Sequence, residues 1–158
     1  MRTWKLAAAA AAFFAVAGAA HAGDYWAISL ADQGIMLADA SDVQSTSAGY
    51  KSVATYAILK TPAGSGSSTV DYIKGREEYD CAGKRSRTLL ADAYSMNGSK
   101  IMAVFEQPGE WSFPDKNQAT QQGLKLLCDS ARGIDAEAHF GDHAIPVMVQ
   151  AYRNTANK

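Results

Sequence analysis

The sequence predicts an α+β fold: an antiparallel β-meander sheet with a helix disulfide-tethered to one face and a second C-terminal helix. Runs of apolar, β-branched and aromatic residues, separated by turn residues, fill the chain up to residue 106. Helical periodicity appears only after that point. The two cysteines, Cys81 and Cys128, fall one in each region. A run of strands followed by helices is typical of an α+β domain.

The composition excludes several classes of protein. The 158 residues carry a net charge of −1, whereas nucleic-acid-binding proteins have a basic excess. Apolar residues make up 47% of the chain and charged residues 20%, as in folded domains and unlike disordered chains. Two cysteines are too few for a four-cysteine zinc site. We therefore expect a folded domain that does not bind nucleic acid.

The first 22 residues have the organisation of a secretory signal peptide. Arg2 and Lys5 precede an uncharged, alanine-rich stretch over residues 6–20, and Ala20-His21-Ala22 fits the small-x-small cleavage pattern. A membrane anchor is the alternative, but a spanning helix needs about 20 strongly apolar residues. No cysteine follows the cleavage site, so the chain is not expected to be a lipoprotein. These features predict a bacterial periplasmic or extracellular protein without stable membrane insertion of the mature chain.

Export changes the interpretation of the cysteines. Two cysteines in an oxidising compartment usually pair, so we expect a disulfide between Cys81 and Cys128. Two separate buried thiols are the alternative.

The strands are expected over residues 25–30, 35–38, 53–60, 69–81, 85–94 and 100–106.

The connections between these strands follow from turn chemistry. Asn97-Gly98 predicts a hairpin with a type I′ turn between the last two strands. Residues 39–49 are expected to form turns and residues 61–68 a flexible loop. Strict alternation along residues 85–94 would place Arg85, Arg87 and Leu89 on one face of the sheet.

Two helices are expected after the strands. The first covers residues 115–130, with Asp115 or Asn117 as its N-cap. Its apolar stripe should lie on the sheet, and that stripe comprises Ala119, Leu124, Leu127 and Cys128. The expected sheet partners are Leu89, Ile101 and Phe105. The second helix is expected over residues 143–153, capped by Asp142 and with Pro146 in its first turn.

Several motifs together resemble the bacterial surface-adhesin protein E-like family. They are Glu78-Tyr79-Asp80-Cys81, Arg85 with Arg87, Tyr94-Ser95-Met96-Asn97-Gly98, Trp111-Ser112-Phe113-Pro114 and Leu124 to Cys128. The resemblance implies a twisted sheet with a tethered helix and an envelope location. The family is named after a surface lipoprotein that binds host extracellular-matrix proteins. We expect a surface-adhesin E-like domain over residues 23–132 and a C-terminal extension with a helix over residues 133–158.

Candidate partner-binding residues come from the basic cluster and from the aromatic residues of the strands. The basic candidates are Lys84, Arg85 and Arg87, which would meet an acidic partner. The alternative is cross-strand ion pairing with the acidic residues between Arg76 and Asp80. The aromatic candidates are Trp26 and Tyr72, for which core packing is the alternative.

The sequence offers little support for catalysis. No nucleophile-elbow motif occurs, and the predicted disulfide leaves no free thiol. His139, Asp142 and His143 are the residues closest to a metal-ligand pattern, but Gly141 between them disfavours a common helical face. We therefore expect no enzyme activity, metal or cofactor. The sequence favours a secreted binding module with protein partners. The alternatives are a periplasmic structural or stress-associated domain and a small hydrolase or metal binder.

Overall fold

The computed structural model describes residues 23–129 and 138–156 and confirms the α+β fold. Seven antiparallel strands form one sheet in the order β6-β5-β4-β3-β2-β1-β7. The strands are β1 (Tyr25–Ala31), β2 (Gly34–Ser45), β3 (Lys51–Ala63), β4 (Val70–Asp80), β5 (Arg85–Tyr94), β6 (Lys100–Phe105) and β7 (His139–Gly141). The helices are α1 (Gln118–Cys128) and α2 (Ile145–Ala156). The predicted signal peptide, residues 1–22, and the start of the predicted extension, residues 133–137, lie outside the described residues.

Helix α1 lies on one face of the sheet, which we call the α1 face. Asn117 caps the helix, since its side chain accepts a hydrogen bond from the Thr120 amide. Leu126 and Leu127 are buried against Ile28, Val53 and other residues of β1 to β4. The burial of Leu127 confirms the predicted stripe. The predicted partners are wrong: α1 lies over the β1 side of the sheet, and Phe105 on β6 is 47% exposed.

The disulfide between Cys81 and Cys128 is present and fixes the C-terminal end of α1 beside the end of β4. The two Cα atoms are 5.5 Å apart, within the range that a disulfide spans. The Lys51 side chain also donates a hydrogen bond to the Leu127 carbonyl oxygen, which is one of the terminal carbonyls of the helix.

Helix α2 covers the opposite face, which we call the α2 face. Met148 and Val149 are buried against β1, β2, β3 and β4 in a cluster that includes Tyr56. Arg153 donates to the Asp71 carboxylate at 2.7 Å and to the Leu59 carbonyl oxygen at 3.0 Å. Pro146 lies in the first turn as predicted, although the helix begins at Ile145 and ends at Ala156. The described part of the extension therefore completes the core.

Bulges correct the predicted side-chain alternation. Arg76 of β4 pairs with Leu90, but Glu77 pairs with Thr88, so Leu89 is an extra residue in β5. Leu89 therefore does not continue the alternation of Arg85 and Arg87. Leu90, not Leu89, lies on the α2 face together with Arg85 and Arg87.

Two predicted turns also differ from the structure. Residues 39–42 form an irregularity within β2, not a turn that ends it, and Asp39 accepts hydrogen bonds from the Asp24 and Ser41 amides there. The hairpin between β5 and β6 is present, but of its residues only Gly98 has a positive φ, of 81°. A type I′ turn requires two such residues, so the turn is a longer one, closed by a hydrogen bond from the Ser95 amide to the Ser99 carbonyl.

Candidate functional site

The basic cluster lies on the α2 face at the turn between β4 and β5. Arg85 donates to Asp80 at 3.0 Å, and Arg87 donates to Glu78 at 2.8 Å. Both guanidinium carbons lie 4.4 Å from the centroid of the Trp111 ring. These contacts match the cross-strand ion pairing that was the alternative for this cluster. The positive charges of both arginines are therefore balanced by carboxylates of the same chain.

Lys84 differs from its two neighbours. It is exposed in the turn after β4, with a φ of 50°, in the left-handed region. The Gly83 amide and the Arg85 guanidinium hold the pKa of Asp80 at the other side of this turn below its ordinary value. The turn therefore presents the exposed Lys84 side chain next to two arginines, Arg85 and Arg87, that are already ion-paired.

The structure does not bring Trp26 and Tyr72 together. Tyr72 is 8% exposed and stacks on Tyr94 beneath α2, with ring centroids 5.4 Å apart. Trp26 packs on the α1 face, and its ring lies 4.5 Å from that of His139. The two aromatic candidates thus lie on opposite faces, and neither adjoins the basic cluster.

The two histidines of the extension, His139 and His143, have different surroundings. His139 forms a 2.8 Å hydrogen bond with Asp24, which joins β7 to the segment before β1. His143 is exposed in the connection before α2. Within residues 23–129 and 138–156, no three His, Cys, Asp or Glu residues are grouped so that they could hold a metal ion.

Strand β6 is an exposed apolar edge of the sheet. Met102, Val104 and Phe105 are 57%, 42% and 47% exposed. β6 pairs with β5 on one side and is the terminal strand of the sheet in the described residues. The β7 edge, by contrast, is only three residues long. Apolar edge strands readily pair with other chains, so β6 is the edge of the sheet that is more prone to pair with a strand of another protein.

A cavity of about 310 Å³ opens on the α1 face, between the N-terminal end of α1, strands β4 and β5, and the segment after β6. Met36, Phe105 and Ala119 contribute its apolar walls, and Glu77 lies in its lining. Glu77 is 8% exposed and accepts a 2.5 Å hydrogen bond from Thr88. Burial raises the pKa of Glu77 above its ordinary value.

Sequence reasoning treated Glu77 as a possible ion-pair partner of the basic cluster and missed this environment. The pairing of the strands separates it from the cluster, because Glu77 faces α1 while Glu78 and Asp80 face the other side. A signal was present in the alternation of Ile73, Gly75, Glu77 and Tyr79, where one acidic residue interrupts a face of apolar or small residues.

No helix in the described residues is long and apolar enough to cross a membrane.

Comparison with known proteins gives one clear relationship. The model of the family described as surface-adhesin protein E matches residues 26–129, which covers β1 to β6, α1 and both cysteines. No curated protein and no solved structure gives a significant match. Because the family model spans well over half of the chain, the protein belongs to the surface-adhesin protein E family.

Proposed function

We propose that this protein is an exported bacterial binding module that engages a protein partner through the edge strand β6. Membership of a surface-adhesin family supports a role in attachment at or beyond the cell envelope. The charge pattern and cleavage motif of residues 1–22 support export by a signal peptide.

The exposed apolar edge is the observation that carries this proposal. An extended segment of a partner gains main-chain hydrogen bonds when it adds to a free sheet edge, and exposed side chains along that edge supply specificity. β6 offers both, with Met102 and Val104 accessible along a strand that is terminal in the sheet. Proteins that avoid such pairing place lysines along their edge strands, whereas in β6 only the first residue, Lys100, is charged and the other five are apolar.

We further propose that the protein is not an enzyme. Both cysteines of the chain are consumed by the disulfide, so neither is available as a nucleophile. His139 is hydrogen-bonded to Asp24 and packs against the Trp26 ring, which supports a structural role for it.

Binding of the purified mature chain to immobilised extracellular-matrix proteins tests the edge assignment. Met102→Lys places a charge in the edge and should weaken binding by about tenfold or more, since lysine opposes strand addition. Leu30→Lys is the matched control, because Leu30 is 64% exposed on β1, far from β6 in strand order. Absence of binding to any matrix protein contradicts the adhesin role, and equal losses in both variants contradict the edge assignment.

Export has a separate test. Expression of the full chain in a Gram-negative host, followed by fractionation and N-terminal sequencing, should yield a periplasmic or secreted protein that begins at Gly23. A cytoplasmic protein that retains residues 1–22 would contradict export.

A further inference from the structure

Strand β4 carries three acidic residues near its C-terminal end, Glu77, Glu78 and Asp80, and they differ in their cation partners. Glu78 is paired with Arg87 and Asp80 with Arg85, each on the α2 face. Glu77, which points to the α1 face, has no cation within ion-pair distance among the described residues. Its one hydrogen-bond donor is the Thr88 hydroxyl, which reaches Oε1. Buried carboxylates are normally paired, so the unpaired Glu77 requires a physical explanation.

The second carboxylate oxygen of Glu77 has no donor among the described residues, and Glu77 lines the cavity. Oε2 accepts no hydrogen bond from the described residues, yet no buried side-chain oxygen there lacks a partner. Oε2 therefore keeps some accessible surface although Glu77 as a whole is 92% buried, and Glu77 is part of the cavity lining. The bulge at Leu89 lies directly across from this position, where the pairing shifts between Arg76 and Glu77. Bulges often occur where a strand presents a side chain to a binding site.

The surroundings of this oxygen favour a particular chemistry. Met36 and Phe105 line the main cavity and also a smaller neighbouring one of about 130 Å³, which Glu77 borders as well. Ile73, Ala91 and Val104 add apolar surface to that second cavity. The lining of the larger cavity also includes several polar residues, among them Glu110 and Arg87, and Arg87 is already ion-paired with Glu78. A buried carboxylate beside the apolar surface of Met36 and Phe105 matches a monovalent cation carried on an apolar stem. A divalent metal ion would need several oxygen ligands, and the described residues do not group them here.

The volume fits the same class of ligand. A cavity of about 310 Å³ is at the lower end of the range of small-molecule sites and accommodates an aliphatic chain of a few carbons. We propose that the Glu77 cavity binds an alkylammonium group, with the ammonium against Glu77 Oε2 and the stem against Met36 and Phe105. Two sources carry this group: a free aliphatic amine and the lysine side chain of a protein partner.

Titration with n-butylammonium, followed by NMR shifts of the Ser86 and Thr88 amides, tests the site. We expect saturable binding with a Kd on the order of 1 mM, as for a ligand of this size. Glu77→Gln keeps the shape but removes the charge and should weaken binding by about tenfold or more, because charge-assisted hydrogen bonds are the strong ones. Glu106→Gln is the matched control, since Glu106 is an exposed carboxylate that lines neither cavity, and it should change Kd by less than about twofold.

Two further measurements separate charge from shape. Ala119→Leu narrows the cavity from the α1 side without altering charge and should also weaken binding. n-Butanol, which has the same stem without a charge, should bind the wild type and Glu77→Gln alike. The affinity for the amine should decrease as the pH falls and Glu77 becomes protonated. Arg87 and Glu110 also line the cavity, and burial holds the pKa of the neighbouring Tyr79 well above its ordinary value. The pH dependence is therefore also measured in Glu110→Gln, and a decrease that persists in this variant belongs to Glu77.

The two sources are distinguished by comparing n-butylammonium with Nα-acetyl-lysine methylamide. Tighter binding of the lysine derivative assigns the site to a partner's lysine, and tighter binding of butylammonium assigns it to a free amine. Absence of binding at about ten times the expected Kd, or equal affinity in the wild type and Glu77→Gln, overturns the proposal. The inference does not rest on the β6 proposal, because Met102 lines neither cavity and Met102→Lys should leave amine binding unchanged.

Discussion

Gly123→Ala should destabilise the protein, although the same change stabilises most helices. In an exposed helix interior, alanine is favoured over glycine by about 1 kcal/mol. Here a Cβ at position 123 would overlap the ring and hydroxyl of Tyr79, well inside the ordinary contact distance of 3.4–4 Å. Tyr79 is 1% exposed beneath α1, so its ring has no free space into which to move.

The magnitude follows from the two opposing effects. Adding a methyl group to a well-packed core costs about 1–3 kcal/mol, and the gain in helix propensity offsets up to about 1 kcal/mol of this. The disulfide at Cys128 prevents α1 from lifting away at its C-terminal end. We therefore expect a net loss of about 1–2 kcal/mol in the free energy of unfolding.

Urea denaturation under non-reducing conditions measures this loss. Gln121→Ala is the control, because Gln121 is exposed on the same helix, and it should change stability by less than about 0.5 kcal/mol. In a Tyr79→Leu background the ring is absent, so Gly123→Ala should become neutral or stabilising. A stabilising effect of Gly123→Ala in the wild-type background would refute the close packing of α1 on β4.

Three other outcomes are expected. Cys128→Ser opens a 47-residue loop and should lower the free energy of unfolding by about 2–4 kcal/mol, and an unchanged urea midpoint would contradict this. Arg153→Met leaves the Asp71 carboxylate, 8% exposed, without its cation, so a loss of about 3 kcal/mol is expected by the same assay, with Asp71→Asn in the Met variant restoring part of it. Burial raises the pKa of Glu77 above 4.5, so the folded state holds this proton more tightly and the free energy of unfolding falls as the pH rises through the interval above 4.5. Glu77→Gln should remove that fall and gain stability relative to the wild type at neutral pH, and parallel pH profiles of the two proteins would contradict the buried position of Glu77.

The elements themselves could be predicted from the sequence because each depends on local chemistry. Asn117 supplies a cap, Pro146 is tolerated in a first turn, and the two cysteines require no knowledge of the fold to be paired. The position of α1 on the sheet could not be predicted in this way. Its stripe identifies which helix residues are buried, but the position of the helix away from β6 depends on which strands present Ile28, Val53 and Tyr79 together.

The facing of the residues of β5 after Thr88 depends on a single inserted residue. Strict alternation fails at Leu89, where the extra residue leaves no trace in the pattern of residue types. Strand pairing places the side chains of Glu77 and Glu78 on opposite faces of the sheet. The two neighbouring glutamates therefore have different partners, Thr88 for Glu77 and Arg87 for Glu78. The exposure of β6 likewise depends on which strand ends the sheet, which apolar composition alone does not reveal.

The disulfide also determines how the molecule would carry a mechanical load. The chain between Cys81 and Cys128 contains β5, β6 and nearly all of α1, and the bond closes it into a covalent ring. Tension applied between a point before Cys81 and a point after Cys128 passes across the sulfur atoms and leaves the chain within the ring slack. Under such a load the chain would therefore lengthen through β1 to β4 and α2, while the hairpin that carries the exposed edge remains unstretched.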